Sequence, residues 1–456
     1  MSKKLPDVAG YAIVCVGPFS LPVHMVIEGA FVLTPEENKL VTEIGPDTPM
    51  GDLFRRFWIP VFHARELVDP DGPPARTRLL GEHIVGFRDT SGRLGILEAA
   101  CPHRGVDLSY GLNEENGLRC ARCGWKFDVE GNCLEMPYEP DEENLRKSIK
   151  AVAYGVQEWG GLIWTYMGPK EEFPERPEFE WGRLPENHRY ISKFVQECNY
   201  LQGLEGGIDS SRISFLYDML FGDPPTIETT ADRLVQGIEG AQDKETSQKV
   251  SIKTTGYGLL VGAATDEGKE TNAWQVNQWL MPFYTTPKPE GDGLLGCLAW
   301  VPVDDKNTMV YVITYHPDRP MTEEEVQTRK AGGGNHPELT EGTYKRKRNK
   351  ENDYLIERKT SGANPLATIS NEFELALVLE ESMGAIVDRT KEQLDPNDIA
   401  IIETRRILMK SAIELREGTE PAAAHNGTLY NTRASALVLQ RDASIDQVDD
   451  KPVTEH

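Results

Sequence analysis

The sequence has few cysteines and no long apolar run. Its 456 residues include seven cysteines, an odd number, and three of these fall between positions 101 and 123. This usage fits a reducing compartment and metal binding better than a set of disulfide bonds. No stretch reaches the roughly 18 uninterrupted apolar residues of a membrane-spanning helix. These absences argue against a secreted or membrane protein, and we predict a cytoplasmic one.

Positive charge is also in short supply. Lysine and arginine number 49 against 73 aspartates and glutamates, which gives a formal net charge of -24 at pH 7. A chain this acidic is repelled by polyphosphate and by anionic lipid surfaces. Nucleic acid and membranes are therefore excluded as general partners. The basic run KRKRNK, residues 345–350, is expected to be a solvated loop.

The composition that remains is that of a soluble globular protein, with 39% hydrophobic and 27% charged residues. A chain of this length exceeds one ordinary core, so two domains of roughly 150 to 250 residues are expected. Between residues 55 and 170, short Val/Ile/Leu-rich runs separated by Gly, Asp and Pro predict a small antiparallel β domain. The segment 171–186, rich in Pro and Glu, is predicted to be a linker.

The second domain is predicted to span residues 187–417 and to mix helices with strands, so the fold class is α+β. The pattern predicts a helix over about 199–220, strands within 249–262, 272–282 and 293–315, and helices near 373–394 and 397–417. Residues 418–456 are expected to form a mobile acidic tail.

The first clear helix signal begins at Thr34. The sequence TPEE supplies an N-cap, a first-turn proline and the glutamate of a capping box. Residues 1–33 therefore look like an appendage, and the first domain is taken as 34–170. Glycine and proline break the apolar run of this appendage, which argues against a signal peptide. One hypothesis places the native translation start near Met25 or Val32.

The most specific motif lies in the first domain. Cys101 and His103 form one close pair, and Cys120 and Cys123 form a second pair after sixteen intervening residues. Two such pairs on glycine-flanked loops can bind an iron-sulfur cluster or a zinc ion. The alternative is a set of small buried cysteines with an unrelated histidine. The spacing favours a metal.

The segments CPHRGVDLSYG, GLRCARCGWKFDVEGNCLEMP and YGVQEWGGLIWTYMGP resemble the Rieske domain of aromatic ring-hydroxylating oxygenases. The resemblance implies a Rieske-type antiparallel β domain and a 2Fe-2S cluster, with two cysteines on one iron and two histidines on the other. The spacing implied is C-x-H followed by C-x-x-H. Cys101, His103 and Cys120 match this pattern, whereas Cys123 stands at the second histidine position.

The change at Cys123 has a predictable effect. A thiolate in place of a neutral imidazole adds negative charge, which stabilises the oxidised cluster. Rieske centres lie at about -150 to +300 mV and plant-type ferredoxins at about -400 mV, so a centre with three cysteines and one histidine is expected between them. The same four groups also satisfy tetrahedral zinc, which is the alternative cofactor.

The resemblance continues to about residue 415, in the phthalate- and phenoxybenzoate-type branch. It implies a helix-grip-like catalytic domain that holds a mononuclear non-haem iron. The segment CNYLQGLEGGIDSSRISFLYDML looks like the iron-binding helix, with pattern N-x-x-Q-x-x-E-G and then D-x-x-H-x-x-x-x-H. Asp209 matches the aspartate, but Arg212 and Tyr217 occupy the histidine positions. The third ligand position, five residues before Glu381 of ESMG, is Ala376.

These substitutions leave the second site without its ligands. Non-haem iron that activates oxygen uses two histidines and one carboxylate, and Arg212 cannot deprotonate to bind a metal. Glu374 or Glu380 could supply a carboxylate after a local shift. Helical spacing predicts that Asp209 and Arg212 form an ion pair, with Glu205 one turn earlier. The alternative is that Arg212 binds a ligand carboxylate bidentately.

The sequence therefore predicts a Rieske oxygenase homologue that has lost its mononuclear iron. By resemblance, its electron donor is a ferredoxin or flavin reductase. It forms a homomeric or mixed trimer in which Asp209 meets the cluster histidine of a neighbouring subunit, and an active homologous subunit is a possible partner. Two alternatives remain open. One is an active aromatic mono- or dioxygenase with unusual iron ligands. The other is a zinc-stapled protein that binds a small aromatic acid.

Overall fold

The computed structural model describes residues 32–139, 142–209, 249–266, 271–291, 293–358 and 365–448. Within them, a β-rich first domain precedes a second domain built on a large antiparallel sheet with helices, so the predicted α+β fold class is confirmed. The predicted appendage lies outside these ranges except at its end, where Leu33 is buried in the core. In the described ranges no helix is both long enough and apolar enough to cross a bilayer.

Among its described residues, the first domain contains two antiparallel sheets and three α-helices. Its strands are β1 (Ile59–His63), β2 (Ala75–Leu79), β3 (Glu82–Arg88), β4 (Leu94–Glu98), β5 (Leu112–Glu114), β6 (Gly117–Arg119), β7 (Lys126–Phe127), β8 (Cys133–Glu135), β9 (Ala153–Trp159) and β10 (Leu162–Tyr166). Its helices are α1 (Pro35–Thr42), α2 (Pro49–Phe54) and α3 (Glu142–Ser148). The strand orders are β1-β10-β9-β4-β3-β2 and β5-β6-β7-β8.

Local sequence explains several of these boundaries. The predicted capping box starts α1: the Glu37 backbone N–H donates to Thr34 Oγ1 at 3.1 Å, and the Thr34 N–H donates to Glu37 Oε2 at 2.8 Å. Between β5 and β6, Glu115 and Asn116 have φ of 48° and 61°. Two consecutive residues with positive φ are the signature of a tight two-residue hairpin turn.

The second domain is an eight-stranded antiparallel sheet covered by helices. Its strands are β11 (Arg189–Gln196), β12 (Lys249–Thr254), β13 (Gly258–Asp266), β14 (Thr271–Leu280), β15 (Tyr284–Thr286), β16 (Leu295–Asp304), β17 (Asn307–Tyr315) and β18 (Ser435–Gln440). Its helices are α4 (Glu180–Arg183), α5 (Tyr200–Ile208), α6 (Glu323–Lys330), α7 (Glu372–Ser382) and α8 (Ile399–Arg416). The strand order is β11-β17-β16-β15-β14-β13-β12, with β18 paired to β14.

Two predicted helices differ from those in the structure. The helix expected over 373–394 ends at Ser382, because Gly384 follows the cap with φ of 96°, a left-handed conformation that stops a helix. Of the helix expected over 199–220, the structure describes the first part, which is α5. Residues 210–248 lie outside the described ranges.

The prediction of a mobile tail is wrong for the part that the structure describes. Strand β18 pairs with β14 from Thr271↔Gln440 to Val276↔Ser435. Ile445 and Val448 are then buried in a hydrophobic cluster on the same sheet. The described end of the chain is therefore packed against the sheet.

The basic run at 345–350 is a loop, as predicted, but only part of it is exposed to solvent. Four of its cations form ion pairs: Lys345 with Glu351, Arg346 with Glu381, Lys347 with Glu338, and Arg348 with Glu374. Arg346 is only 2% exposed. The run is neutralised within the fold and presents no basic patch.

The first domain is attached to the second through the β2–β3 hairpin. Its turn residues Leu80 and Gly81 donate backbone hydrogen bonds to the carbonyls of Pro302 and Val303 at 3.0 and 2.9 Å. On β2, the Arg78 guanidinium contacts Asp304 at 2.6 Å. These contacts hold the first domain against the end of β16.

Candidate metal centre and second site

Two similar turns carry the predicted metal ligands. After β4, the Gly105 N–H donates to the Cys101 carbonyl at 2.8 Å, and after β6 the Gly124 N–H donates to the Cys120 carbonyl at 3.0 Å. Both glycines have φ of 74°, a conformation that side-chain-bearing residues disfavour. The sequence spacing thus produces two matching loops, each with a cysteine at its start.

The two loops bring three thiols together. The sulfur atoms of Cys101, Cys120 and Cys123 all lie within 4.8 Å of one another. The Cys101 and Cys123 sulfurs are 3.7 Å apart. Two thiolates about 2.3 Å from one tetrahedral metal lie about 3.8 Å apart, so the arrangement suits metal ligation. Among the described residues, this is the one group of three or more His, Cys, Asp or Glu donors that could hold a metal.

His103, the fourth predicted ligand, is not part of this thiol group. Its side chain is exposed, and its ring centroid lies 4.7 Å from that of Trp125, which belongs to the other loop. The imidazole therefore packs against a residue of the other loop. The structure thus brings three of the four predicted ligands together, and His103 is not part of that group.

The three thiols have different acidities. Burial raises the pKa of the Cys101 thiol to about 12 and also raises the pKa of Cys123. Burial acts in the same direction on Cys120, but hydrogen bonds from the backbone N–H groups of Cys123 and Arg122 outweigh it and lower its pKa. Cys120 is therefore the thiol that most readily provides a thiolate for a metal.

Helix α5 is anchored by the motif residues that the sequence singled out. Asn199 caps the helix and donates to the carbonyls of Thr42 and Asp305 at 2.9 and 2.7 Å. Gln202 donates to the Gly384 carbonyl at 2.9 Å and accepts from the Val387 N–H at 2.9 Å. These contacts fix α5 against α1 and against the segment that follows α7.

Glu205 on α5 is held by two distant arginines. Arg389 and Arg405 donate to its carboxylate at 2.9 and 2.6 Å, and Arg405 also contacts Glu392 at 2.7 Å. Burial tends to raise the pKa of Glu205, but the two arginines lower it overall, so this carboxylate is ionised. The predicted partner for this helix face, Arg212, lies outside the described residues.

The second predicted site is described only in part. Asp209 ends α5 and, with Val261, Asn277 and Ala400, lines a small cavity of about 20 Å³ between the sheet and the start of α8. Ala376 is half-buried on α7 and does not line that cavity. Arg212 and Tyr217 lie outside the described residues.

The two alternative carboxylates have other contacts. Glu374 lies 3.6 Å from Arg348, and the Glu380 carboxylate accepts from Gln196 at 2.6 Å. Neither lines the cavity beside Asp209. Among the described residues, the carboxylate that lines this cavity is therefore that of Asp209.

Two protein-family models match the two domains of this chain. Residues 57–153 match the family model described as Rieske [2Fe-2S] domain, and residues 165–441 match the model described as LigXa C-terminal domain like. These two domains in this order define an oxygenase subunit with an iron-sulfur domain followed by a catalytic-type domain. The chain belongs to the Rieske oxygenase family, in the branch of phthalate-type dioxygenase subunits that its motifs predicted.

Individual relatives cover nearly the whole chain. The chain is 34% identical to the phthalate 4,5-dioxygenase oxygenase subunit of Pseudomonas putida, over 85% of this chain and 88% of that protein. It is 32% identical to the 3-chlorobenzoate-3,4-dioxygenase oxygenase subunit of Comamonas testosteroni, over 89% and 94% of the two chains. The solved structure of Pseudomonas putida CBB5 NdmA shares the fold, with a TM-score of 0.53, 18% identity, and coverage of 87% and 99%.

Proposed function

We propose that this chain binds a 2Fe-2S cluster but does not activate oxygen at a mononuclear iron of its own. It acts as a non-catalytic or electron-handling homologue that assembles in a trimer, with an active homologous subunit as partner. A ferredoxin or flavin reductase supplies its electrons. The unbridged state of the six cysteines in the described residues fits a reducing cytoplasm.

The observation that carries this proposal is the chemistry at the second site. Ala376 offers no donor atom, and Arg212 is a permanent cation that repels a metal. Tyr217 could bind iron as a phenolate, but one ligand does not make a site. In the described part of the fold, Glu374 lies 3.6 Å from Arg348 and Glu380 bonds to Gln196, and these contacts support the view that neither carboxylate replaces the missing one.

The first site supports retention of the cluster. Cys101, Cys120 and Cys123 provide converging thiols, and His103, whose ring packs on Trp125 of the other loop, would be the fourth donor. A cluster bound there supplies one-electron transfer. The protein's own contribution is to orient the four donors on two rigid turns and to keep the thiols largely out of water.

Metal analysis tests the proposal directly. Protein purified without air is expected to contain two irons and acid-labile sulfide per chain. With a reductase and an aromatic acid, it is expected to form no oxygenated product. Three irons per chain, or product that is lost on Tyr217→Phe, would instead support an active oxygenase with unusual ligands. Recovery from the native host only as a self-assembled oligomer would count against a partner subunit.

A zinc-stapled binding protein is the second candidate, and the 3.7 Å sulfur separation favours it, because this distance suits two thiolates on one ion. Zinc gives no visible absorption, so colourless protein with one zinc and no iron would select this candidate. Thermal stabilisation by aromatic carboxylates that is absent in Arg212→Ala would then identify its ligand.

Cys123→His is expected to raise the reduction potential of the cluster without restoring oxygenation. The substitution replaces an anionic ligand with a neutral one, so the reduced cluster becomes easier to form. The expected shift is on the order of 100 mV, measured by a redox titration that follows visible absorbance. An unchanged potential would show that residue 123 is not a ligand. Recovery of turnover would show that the second site is functional.

A further inference from the structure

Two buried polar side chains, Gln196 and Glu380, pack against a face of α5 that is formed by glycines. Gln196 Nε2 lies 2.6 Å from Glu380 Oε2, and both side chains are buried. Gly203 and Gly206 lie on the helix face that they contact. A Cβ at Gly206 would lie 1.8 Å from Glu380 Oε1, and a Cβ at Gly203 would lie 2.7 Å from Gln196 Oε1. The two glycines are what allow this close approach.

Glu380 differs sharply from the glutamate beside it. Glu381 receives Arg346 at 2.5 Å, the Tyr354 hydroxyl at 2.9 Å and the Glu197 N–H at 2.9 Å. Within the described part of the chain, the Glu380 carboxyl hydrogen-bonds only to the neutral amide of Gln196. A buried carboxylate normally needs a cation or several N–H donors, so Glu381 is the charged member of this pair of neighbours.

The surroundings of Glu380 disfavour a second negative charge. Glu381 lies next to it on α7, Glu205 faces it from α5, and the Cys198 thiol lies nearby after β11. Arg346 is the cation that faces it, but that guanidinium is already bound to Glu381. Burial is the main effect and raises the pKa of Glu380 well above its usual range.

The contact with Gln196 also suits a carboxylic acid. Its 2.6 Å length is shorter than the usual N–H···O distance of about 2.9 Å and close to the O–H···O distance of about 2.7 Å. Gln196 Oε1 is buried without a partner among the described residues. Rotation of the amide by 180° leaves its shape unchanged and lets this oxygen accept an O–H from Glu380.

We propose that Glu380 is a neutral carboxylic acid in the folded protein, and that its contact with Gln196 is a pH-sensitive support for α5. Loss of its proton would place a third carboxylate close to Glu205 and Glu381, against the turn of α5 that precedes Asp209. Alkaline pH is then expected to loosen this end of the helix. This inference does not depend on the metal centre or on oxygenation.

Glu380→Gln tests the proposal, because glutamine keeps the shape and cannot ionise. An acid that stays protonated in the folded state but ionises when unfolded costs stability as pH rises above about 4.3. The unfolding constant of the unmodified protein, measured in urea, is therefore expected to rise relative to that of Glu380→Gln by up to tenfold per pH unit between pH 6 and 9. A ratio that stays constant over this range would overturn the proposal.

Glu381→Gln is the matched control on the same helix. Glu381 is bound to Arg346, Tyr354 and the Glu197 N–H, so its replacement is expected to destabilise the protein without reproducing the pH-dependent ratio expected for Glu380→Gln. Amide hydrogen exchange in residues 200–208 gives a local reading. The intrinsic chemical rate of exchange rises with pH by itself. In the unmodified protein the measured rate is expected to rise more steeply than this intrinsic rate, whereas in Glu380→Gln it is expected to rise in parallel with it.

Infrared spectroscopy keeps the proposal testable if Glu380→Gln does not fold. With ¹³C-labelled glutamate, a protonated carboxyl band is expected at pH 7 in the folded protein. The measurement is made in a Glu374→Gln background, because burial also raises the pKa of Glu374. Absence of the band in the folded Glu374→Gln protein would overturn the assignment of a neutral Glu380.

Discussion

Replacing Cys120 with serine is expected to remove most of the metal from the purified protein. Among the three clustered thiols, Cys120 is the one whose pKa is lowered, by N–H groups that point at its sulfur. Serine keeps the size of the side chain but cannot supply a thiolate, which is the ligand that soft metals prefer. Replacing a residue that only supports a metal ligand lowers metal affinity by about 10- to 100-fold. Replacing the ligand itself should lower the affinity at least as much.

Cys133→Ser is the control for this experiment. Cys133 is buried in the same hydrophobic cluster as Cys101 and Cys120, but it is not one of the three converging thiols. Its replacement is expected to leave the metal content unchanged. Iron, zinc and acid-labile sulfide are measured on both variants, and circular dichroism confirms that each has folded. Full metal content in Cys120→Ser would remove this residue from the site.

The structure shows which parts of the site could be predicted from sequence. The two metal loops are short-range features, because a cysteine, a glycine with positive φ and the spacing between them lie within five residues of one another. The capping box of α1 is equally local. Such features depend on backbone preferences that act within one turn, and sequence patterns report them directly.

Features that depend on distant contacts could not be predicted. Glu205 lies 184 and 200 residues before its partners Arg389 and Arg405, and helical spacing on α5 gave no sign of either arginine. Strand β18 pairs with β14 across more than 150 residues, although its sequence suggested a mobile tail. In both cases the tertiary fold supplies a partner that the local sequence does not reveal.

Glu205→Gln is expected to destabilise the second domain by about 3 to 5 kcal/mol, because it leaves buried cations without their anion. Arg389 and Arg405 are 0% and 1% exposed. Arg405 keeps its ion pair with Glu392, so Arg389 is the cation most affected by the missing carboxylate. Urea unfolding at pH 7 measures the effect. Glu403→Gln is the matched control, because Glu403 pairs with the exposed Arg406 on α8 and should cost no more than about 1 kcal/mol.

The pH dependence and a double variant separate this ion network from simple packing. The folded pKa of Glu205 is lowered, so its stabilising effect is complete above the unfolded value of about 4.3 and is lost as pH falls toward the folded value. The difference between the unmodified protein and Glu205→Gln should therefore shrink in acid. Arg389→Met in the Glu205→Gln background is expected to recover part of the stability, since it removes the stranded cation. Arg389→Met is also measured alone. If it lowered the free energy of unfolding by the same amount in the unmodified protein and in the Glu205→Gln background, Glu205 and Arg389 would not be energetically coupled.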